Sequence, residues 1–509
     1  MSSTNSSSRI RNTKRIMSSG MIYFIIKTIF PFINRTVIIY TLGSEFTGLS
    51  GLFSSVLQVL NLAEFGMSLA VVYSLYEPLA RDDTQAINQI MAWMRKVYHL
   101  VGGAVFCGGL IAAPFLPRLI RGRCPDGINI YILFFIFLFD SGISYFLFSY
   151  KEVLLIADQR RDILSKISSV VKIAVNLLQF TALLFFRNYY LYAVILICGT
   201  VGSNLLVNRA VTKRYPYLNS GASRAAVPAS MKKELIGLMI NRMSNVSRNA
   251  FDNLIITATL GLTATAVYGN YYLIYTAVFS VTSVFSDSMQ ASVGNSIAVR
   301  SEAQNFENLL DFSMLYAWIT GWCATAMACL YQPFMKLWVG EKLMLSEGNM
   351  LLFAVYFYLI SMNHIRNQYI LGNALWWDLK WVYLIEAAAN LLLNLVLGHF
   401  WGVTGVLLAT ILTIFFCNYL MCNAVLFRRY FKHASIGLFY RQQFYYLLCA
   451  TVVCGGVYLI CRMTGSIFLR AGICIVLPNL LYFLLFLPCS RRQSCTAIIK
   501  RLMHLKSAG

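Results

Sequence analysis

The sequence predicts an all-α integral membrane protein of about 14 transmembrane helices, arranged as two six-helix bundles around a central cavity plus two C-terminal helices. Three observations carry that reading. Of the 509 residues, 58% are apolar and only 12% are charged, whereas a soluble domain has about 45–50% and about 25%. Apolar stretches of about 20 residues, the length that crosses a bilayer as a helix, recur along the whole chain between clusters of charged and turn residues. The gaps between them, of which the longest run from Arg209 to Ile236 and from Gln332 to Gly348, are too short to hold a soluble core.

Taken in order, the first span is Gly20–Leu42. It follows a basic, Ser-rich cytoplasmic arm (1–19) carrying Arg9, Arg11, Lys14 and Arg15. The pair superficially looks like a signal peptide, but the apolar stretch is too long, contains Lys27 and Arg35, and lacks a small-residue cleavage site, so it reads as a retained span. Gly48–Tyr76, Val97–Pro117, Asn129–Lys151, Lys166–Phe186 and Tyr189–Asn208 complete a first bundle (20–208). A basic cytoplasmic linker (209–236) leads to Gly237–Gly261, Thr265–Ala298, Leu310–Tyr331, Met350–Leu375, Trp381–Leu397 and Val403–Leu426, the second bundle (237–426). Two extra spans, Arg441–Arg462 and Ile467–Pro488, fill 427–488 and leave a basic cytoplasmic tail (489–509). An even count puts both termini on one side.

Charge sets the orientation. Of the 42 Lys and Arg residues, 27 lie between spans on the side of the termini and 8 on the other, with 7 inside spans. Basic loops hold the cytoplasmic face, so both termini are expected there. The net charge of +22 is therefore read as topology together with an anionic ligand, and no nucleic-acid partner is expected. Among the 13 Cys only Cys124 falls in an outside loop; the rest lie in apolar helices or, like Cys489 and Cys495, in the tail, and read as small apolar residues. Neither Cys nor His shows metal-ligand spacing, and no metal site is expected.

A weak internal repeat occurs at an offset of 218 residues. Ile38–Gly51 (IIYTLGSEFTGLSG) aligns with Ile256–Gly269 (ITATLGLTATAVYG), matching Thr41, Leu42, Gly43, Thr47 and Gly51. Both copies join the first and second span of a half. Repeats of six spans are parallel, related by an axis along the membrane normal, and the cavity between them is the expected binding site.

Polar stripes run through the apolar helices. At 100° per residue, Lys27, Pro31 and Asn34 share a face of the first span with Arg35 at its edge, and Ser54, Gln58, Asn61, Glu64 and Ser68 share one on the second. Similar faces carry Ser169, Lys172, Asn176 and Gln179 on the fifth span, and Arg242, Asn245, Asn249 and Asp252 on the seventh, with Arg248 to one side. The eighth carries Ser280, Ser283 and Asp287, and the tenth Asn363, Arg366 and Asn367. An ionised side chain at mid-bilayer costs about 2.5–3.5 kcal/mol even on the lenient insertion scale. Two readings therefore stand: seams of helix-to-helix hydrogen bonds and charge pairs, for which Glu64, Asp140, Asp252, Asp287 and Glu386 are available, or a wet cationic cavity. The cavity would accept a phosphorylated or pyrophosphorylated head group, because Arg matches phosphate oxygens bidentately. Glu64, Asp252 and Asp287 are candidates for a coupling proton or Na⁺; no other cofactor is expected. There is no Walker A pattern and no large outside loop for a catalytic cleft, so the chain is not expected to be an enzyme.

Phe30–Ala80 closely resembles the N-terminal region of Wzx-type polysaccharide repeat-unit flippases of the multidrug/oligosaccharidyl-lipid/polysaccharide (MOP) exporter superfamily. Arg35-Thr36, Thr41-Leu42-Gly43, Gly48-Leu49, Leu62-Ala63-Glu64 and Tyr76-Glu77-Pro78-Leu79-Ala80 carry the likeness. Asp252-Asn253-Leu254-Ile255-Ile256 and Leu337-Trp338-Val339-Gly340 extend it to about Leu426, while the last two spans match by hydropathy only.

That resemblance implies alternating access in a bacterial cytoplasmic (inner) membrane. A polyprenyl-pyrophosphate-linked oligosaccharide would be carried to the outer leaflet, its tail left in lipid, for O-antigen lipopolysaccharide, capsule or teichoic-acid-like polymers. On this reading Lys27, Arg35, Lys172, Arg242, Arg248 and Arg366 contact the phosphates, and Asn34, Gln58, Asn61, Asn245, Asn249 and Asn367 face the sugars. Glu64, Asp252 and Asp287 tune or couple the cycle. A polysaccharide polymerase and glycosyltransferases are the implied partners. The rivals are a multidrug or cation antiporter of the same superfamily, which would favour acidic cavity residues, and a non-transporting scaffold of a glycan assembly complex, which would show a flat, charge-paired interior.

Overall fold

A computed structural model describes residues 3–64, 67–122, 124–218 and 232–486. Among the described residues every regular element is helical. The chain divides into two compact units, Met1–Gly269 and Asn270–Gly509.

The first unit opens with α1 (Ser3–Thr41), which starts well ahead of the expected Gly20. It is followed by α2 (Ser44–Leu60) and a 3₁₀ turn, Asn61–Glu64. Then come α3 (Met67–Ala80) and α4 (Thr84–Ala112), the latter continuing as 3₁₀ helix through Ala113–Leu119. Next are α5 (Ile130–Phe146), α6 (Glu152–Ala157), α7 (Arg161–Leu184), α8 (Tyr189–Arg214) and α9 (Lys232–Leu260). Starts are set by side-chain caps: Asp83 accepts from Ala86 N at 2.9 Å, Asn129 from Tyr131 N and Ile132 N, and Asn188 from Leu191 N. Each such cap is worth about 1 kcal/mol. Leu49, Leu52, Phe53, Met94, Leu133 and Phe134 are buried in the core of this unit, whereas Ile22, Ile25, Ile29 and Ile33 form an exposed apolar face along α1. Apolar side chains turned outward at helical spacing suit a lipid environment.

Both joints of the sequence repeat are glycines in the left-handed region. Gly43, at φ 114°, separates α1 from α2, and Gly261, at φ 91°, separates α9 from α10 (Leu262–Val299). α2 packs on α9, and at the contact a Cβ on Gly48 would overlap the Leu262 carbonyl. The repeat noticed in sequence is thus a repeated joint.

The second unit takes the remainder of α10, then α11 (Glu302–Val339), α12 (Glu347–Gly372) and α13 (Lys380–Thr413). A π-helical segment, Ile414–Met421, runs into α14 (Cys422–Arg429), and α15 (Ile436–Arg462) and α16 (Ile467–Phe486) complete it. Gly402, at φ 57° and ψ −132°, breaks α13. The arms fold back on each other: Asn390 Nδ2 donates to Thr410 Oγ1 at 3.2 Å and to Thr413 Oγ1 at 3.4 Å, and a Cβ on Gly405 would overlap the Leu397 carbonyl. The break falls where the sequence placed the join between two spans. α15 and α16 both pack on α11, where Trp318 Nε1 donates to Asn479 Oδ1 and Trp322 Nε1 to the Cys474 carbonyl, each at 2.8 Å.

Nine helices among the described residues are long and apolar enough to cross a membrane, or ten if the bent pair Ile130–Phe146 and Ser149–Ala157 counts as one span. One of the nine, Lys380–Arg429, has 50 residues. Its 75 Å of helix at about 1.5 Å per residue is twice what a bilayer needs, and the fold-back at Gly402 supplies two crossings. Of the other expected spans, α2 has 17 residues, while α9 and α10 are lowered in hydropathy by the polar stripes that mark them in sequence.

Candidate functional site

In the first unit, α1 and α7 pack along their length. The contact is partly a polar seam: Asn34 Nδ2 donates to Asn176 Oδ1 at 2.6 Å, and Asn176 Nδ2 donates to the Lys172 carbonyl at 2.5 Å. Lys27 on α1 is exposed and Lys172 on α7 is half-buried, and the two ammonium groups lie within electrostatic reach of one another. Neither forms an ion pair with any described carboxylate of its unit. Two like charges on facing helices destabilise their contact unless an anion or water intervenes. The lysine pair therefore lacks a counter-charge among the described residues, as does Lys151, which lies within electrostatic reach of Arg95.

Arg35 is placed differently. Its Nη2 donates to the Ala266 carbonyl at 2.8 Å, in the first turns of α10. A Cβ at Gly269 would sit 2.6 Å from that same nitrogen, so any side chain there would require the guanidinium to shift. Arg35 thus anchors α1 to the joint at Gly261. Lys151, which sequence reading put at the end of a span, lies at the bend between α5 and α6, where its Nζ donates to Asn208 Oδ1 at 2.5 Å above the Phe148 ring.

On α9, Arg242 is exposed, while Arg248 is buried and donates from Nη2 to Asn245 Oδ1 at 2.6 Å. Asn249 keeps a buried Oδ1 without a hydrogen-bond donor. Asp252, one turn beyond Arg248, is buried and accepts from the Tyr268 hydroxyl at 3.0 Å. On α2, Gln58 is exposed, but Asn61 is spent between helices, donating to Ser141 Oγ at 2.9 Å and accepting from the Tyr145 hydroxyl at 3.1 Å. Glu64 ends the 3₁₀ turn, and its side chain lies outside the described residues. An open cavity of about 780 Å³ in this unit is lined by Glu45, Asp126, Arg187, Asn188, Tyr189 and Tyr190 among others, with Thr41 and Leu42 of the sequence repeat; none of the expected substrate-binding or coupling residues lines it.

In the second unit the expected Arg366 is buried, and the π-helical segment explains how its two terminal nitrogens are satisfied, while its Nε has no hydrogen-bond partner among the described residues. The widened turn there presents both polar groups of Asn418: Arg366 Nη1 donates to the Asn418 carbonyl, and Nη2 donates to Asn418 Oδ1 and to Asn367 Oδ1, each at 2.8 Å. Asn418 Nδ2 in turn donates to the buried Glu386 at 3.2 Å. A charge that would be costly alone is thus linked to a carboxylate through one amide. Asn367 is turned to Arg366. Asp287 on α10 is exposed and accepts a hydrogen bond from Gln368. Sequence reading named Glu386 only as an available acid and passed over Asn418, because a π-helical turn shifts the register on which face assignments rest.

At the ends of some helices charges are paired. Asp158 accepts from Arg214 Nη2 at 3.0 Å and from the Tyr215 hydroxyl at 2.6 Å. Burial and the bond to Asp158 push the Tyr215 phenol above its ordinary range. Lys336 holds Glu341 below the usual carboxylate range at the end of α11.

No family profile matches this sequence, and no curated protein matches it. Solved structures do. The lipid II flippase MurJ in an inward closed conformation superposes with a TM-score of 0.66 at 14% identity, covering 94% of this chain and 99% of its own. The fold is that of the MOP-superfamily transporters. An inward-facing multidrug resistance MATE family transporter of that superfamily gives a TM-score of 0.62 at 11% identity, covering 82% of this chain and all of its own. An outward-facing MATE structure gives 0.56 at 12% identity, with 83% and 97% covered.

Proposed function

We propose that this chain is a flippase. It moves a polyprenyl-pyrophosphate-linked oligosaccharide from the cytoplasmic to the outer leaflet of a bacterial cytoplasmic membrane by alternating access. The observation that carries the reading is the Lys27–Lys172 pair, two cations on packed helices with no carboxylate partner among the described residues of their unit. A diphosphate supplies the missing charge, and its departure restores the repulsion, so loading and unloading change how tightly α1 and α7 hold together. Lys27 and Lys172 carry the phosphates in this scheme, with the exposed Arg242 and Gln58 as further contacts. Arg35, through its bond to the Ala266 carbonyl, and Arg366, through its terminal nitrogens on Asn418, act as struts. Arg248, Asn245 and Asn249 stand behind Arg242 on α9, and Asp252 is the first choice for a coupling carboxylate.

A cation antiporter would place acids at the position of the lysine pair. A scaffold that moves nothing would have no reason to keep two like charges facing. A polymerase and glycosyltransferases supplying and consuming the lipid-linked unit are the proposed partners.

The test is movement of a fluorescent polyprenyl-pyrophosphate oligosaccharide across proteoliposomes, followed with a membrane-impermeant quencher. Lys27→Ala with Lys172→Ala should lower the initial rate to that of empty liposomes while the protein remains folded. Replacing both lysines by Arg should restore it. Wild-type rates in the double Ala variant would sink the assignment.

A further inference from the structure

Cys329 of α11, Cys461 in the last turn of α15 and Cys474 of α16 are all buried, and their Sγ atoms lie within 4.8 Å of one another. Cys461 and Cys474 are 4.0 Å apart, sulfur to sulfur. A trigonal ion with metal–sulfur bonds of about 2.3 Å holds its sulfurs about 4.0 Å from each other. Small side-chain rotations would bring the trio to that spacing.

The donor set also selects the ion. Among the described residues no His, Asp or Glu joins the group. Structural zinc sites are four-coordinate, and this one offers three ligands in an apolar surrounding. Three soft thiolates without a fourth donor suit a monovalent d¹⁰ ion, Cu(I). The flanking contacts hold the ligands in place. Trp322 Nε1 donates to the Cys474 carbonyl and Thr464 Oγ1 to the Cys461 carbonyl, each at 2.8 Å. Arg470, one turn before Cys474, donates from Nε and Nη2 to the Thr464 carbonyl at 2.9 and 2.7 Å, which keeps a fixed cation beside a site that would carry negative charge.

We propose that Cys329, Cys461 and Cys474 form a three-thiolate Cu(I) site that ties the α15–α16 hairpin to α11. Three S–H groups give up their protons to solvent, three Cu–S bonds form, and copper enters and stays as Cu(I), so no oxidant is consumed. The site is independent of the transport reading.

The purified full-length protein, reduced and kept without oxygen, is titrated with Cu(I) against the chelator bathocuproine disulfonate. One Cu(I) per chain is expected, with thiolate-to-copper charge-transfer absorption in the ultraviolet, three Cu–S bonds by X-ray absorption, and protection of these three thiols from alkylation. Cys329→Ser or Cys474→Ser should weaken binding by more than the ~10-fold that even an outer-shell change costs, and Cys198→Ser, at an exposed thiol, should not. The alkylation readout uses the wild-type chain and so survives a variant that fails to fold. No Cu(I) beyond that bound by the triple Ser variant, or a Cys461–Cys474 disulfide in protein alkylated directly in membranes, would overturn the proposal.

Discussion

Replacing Gly269 by Ala tests whether Arg35 is a strut. The added Cβ would lie 2.6 Å from Arg35 Nη2, and ordinary van der Waals contact begins near 3.4 Å. The guanidinium must therefore retreat by about 0.8 Å, and if as little as half of that shift lies along its 2.8 Å bond to the Ala266 carbonyl the bond reaches the ~3.2 Å at which such bonds end. A hydrogen bond to a charged group contributes about 1.5–3 kcal/mol, so Gly269→Ala should cost about that much. Arg35→Met should cost a similar amount, having lost the same bond. In the double variant the clash is gone and the bond can be lost only once, so the penalty should equal one single variant and not the sum, giving a coupling energy of about 1.5–3 kcal/mol. Equilibrium unfolding in mixed micelles titrated with denaturing detergent measures all four corners of the cycle. Additive penalties, or a neutral Gly269→Ala, would refute the packing argument.

Asn418→Leu should strip Arg366 of one acceptor and Glu386 of one donor, costing about 1–3 kcal/mol for buried groups left unsatisfied; the same detergent titration checks it, and Glu386→Gln should be milder. The raised Tyr215 phenol has a pH signature at the C-terminal end of α8. Because its folded pKa lies above the unfolded value of about 10, its contribution is complete below that value and is lost as pH rises toward the folded one. Unfolding midpoints should therefore fall above about pH 10 in the wild type and fall less steeply in Tyr215→Phe.

Much of the helix pattern was legible in the sequence because membrane helices must satisfy their backbone internally and announce themselves by length and apolarity. Gly402 and Gly261 stood at predicted joins, and the polar faces of α1, α7 and α9 were found by periodicity. What periodicity cannot supply is the neighbour. Asn34 and Lys27 share a face of α1, yet Asn34 Nδ2 is taken by Asn176 while Lys27 is exposed, within electrostatic reach of Lys172. Asn61 and Gln58 divide in the same way on α2, one engaged between helices and the other exposed. Arg35 looked like a ligand for anions because nothing local revealed that a glycine 234 positions later makes its berth. The cysteine cluster left no spacing signal, since its members come from three helices with α11 far from α15 and α16 in sequence. Asp287, expected as an in-span acid, is an exposed residue of α10.

The two left-handed glycines bear on the ancestry of the chain. Gly43 and Gly261 stand 218 residues apart, at the same point between consecutive helices, with the same backbone hand. Few of the side chains around them still correspond, as expected if an ancestral unit was duplicated and each copy then drifted to suit its own neighbours. Side chains can be exchanged one at a time, but a backbone turn that only glycine adopts at low cost cannot be altered in small steps. The joints would then be the oldest shared feature of the two copies, and a better guide to descent than the residues that now distinguish them.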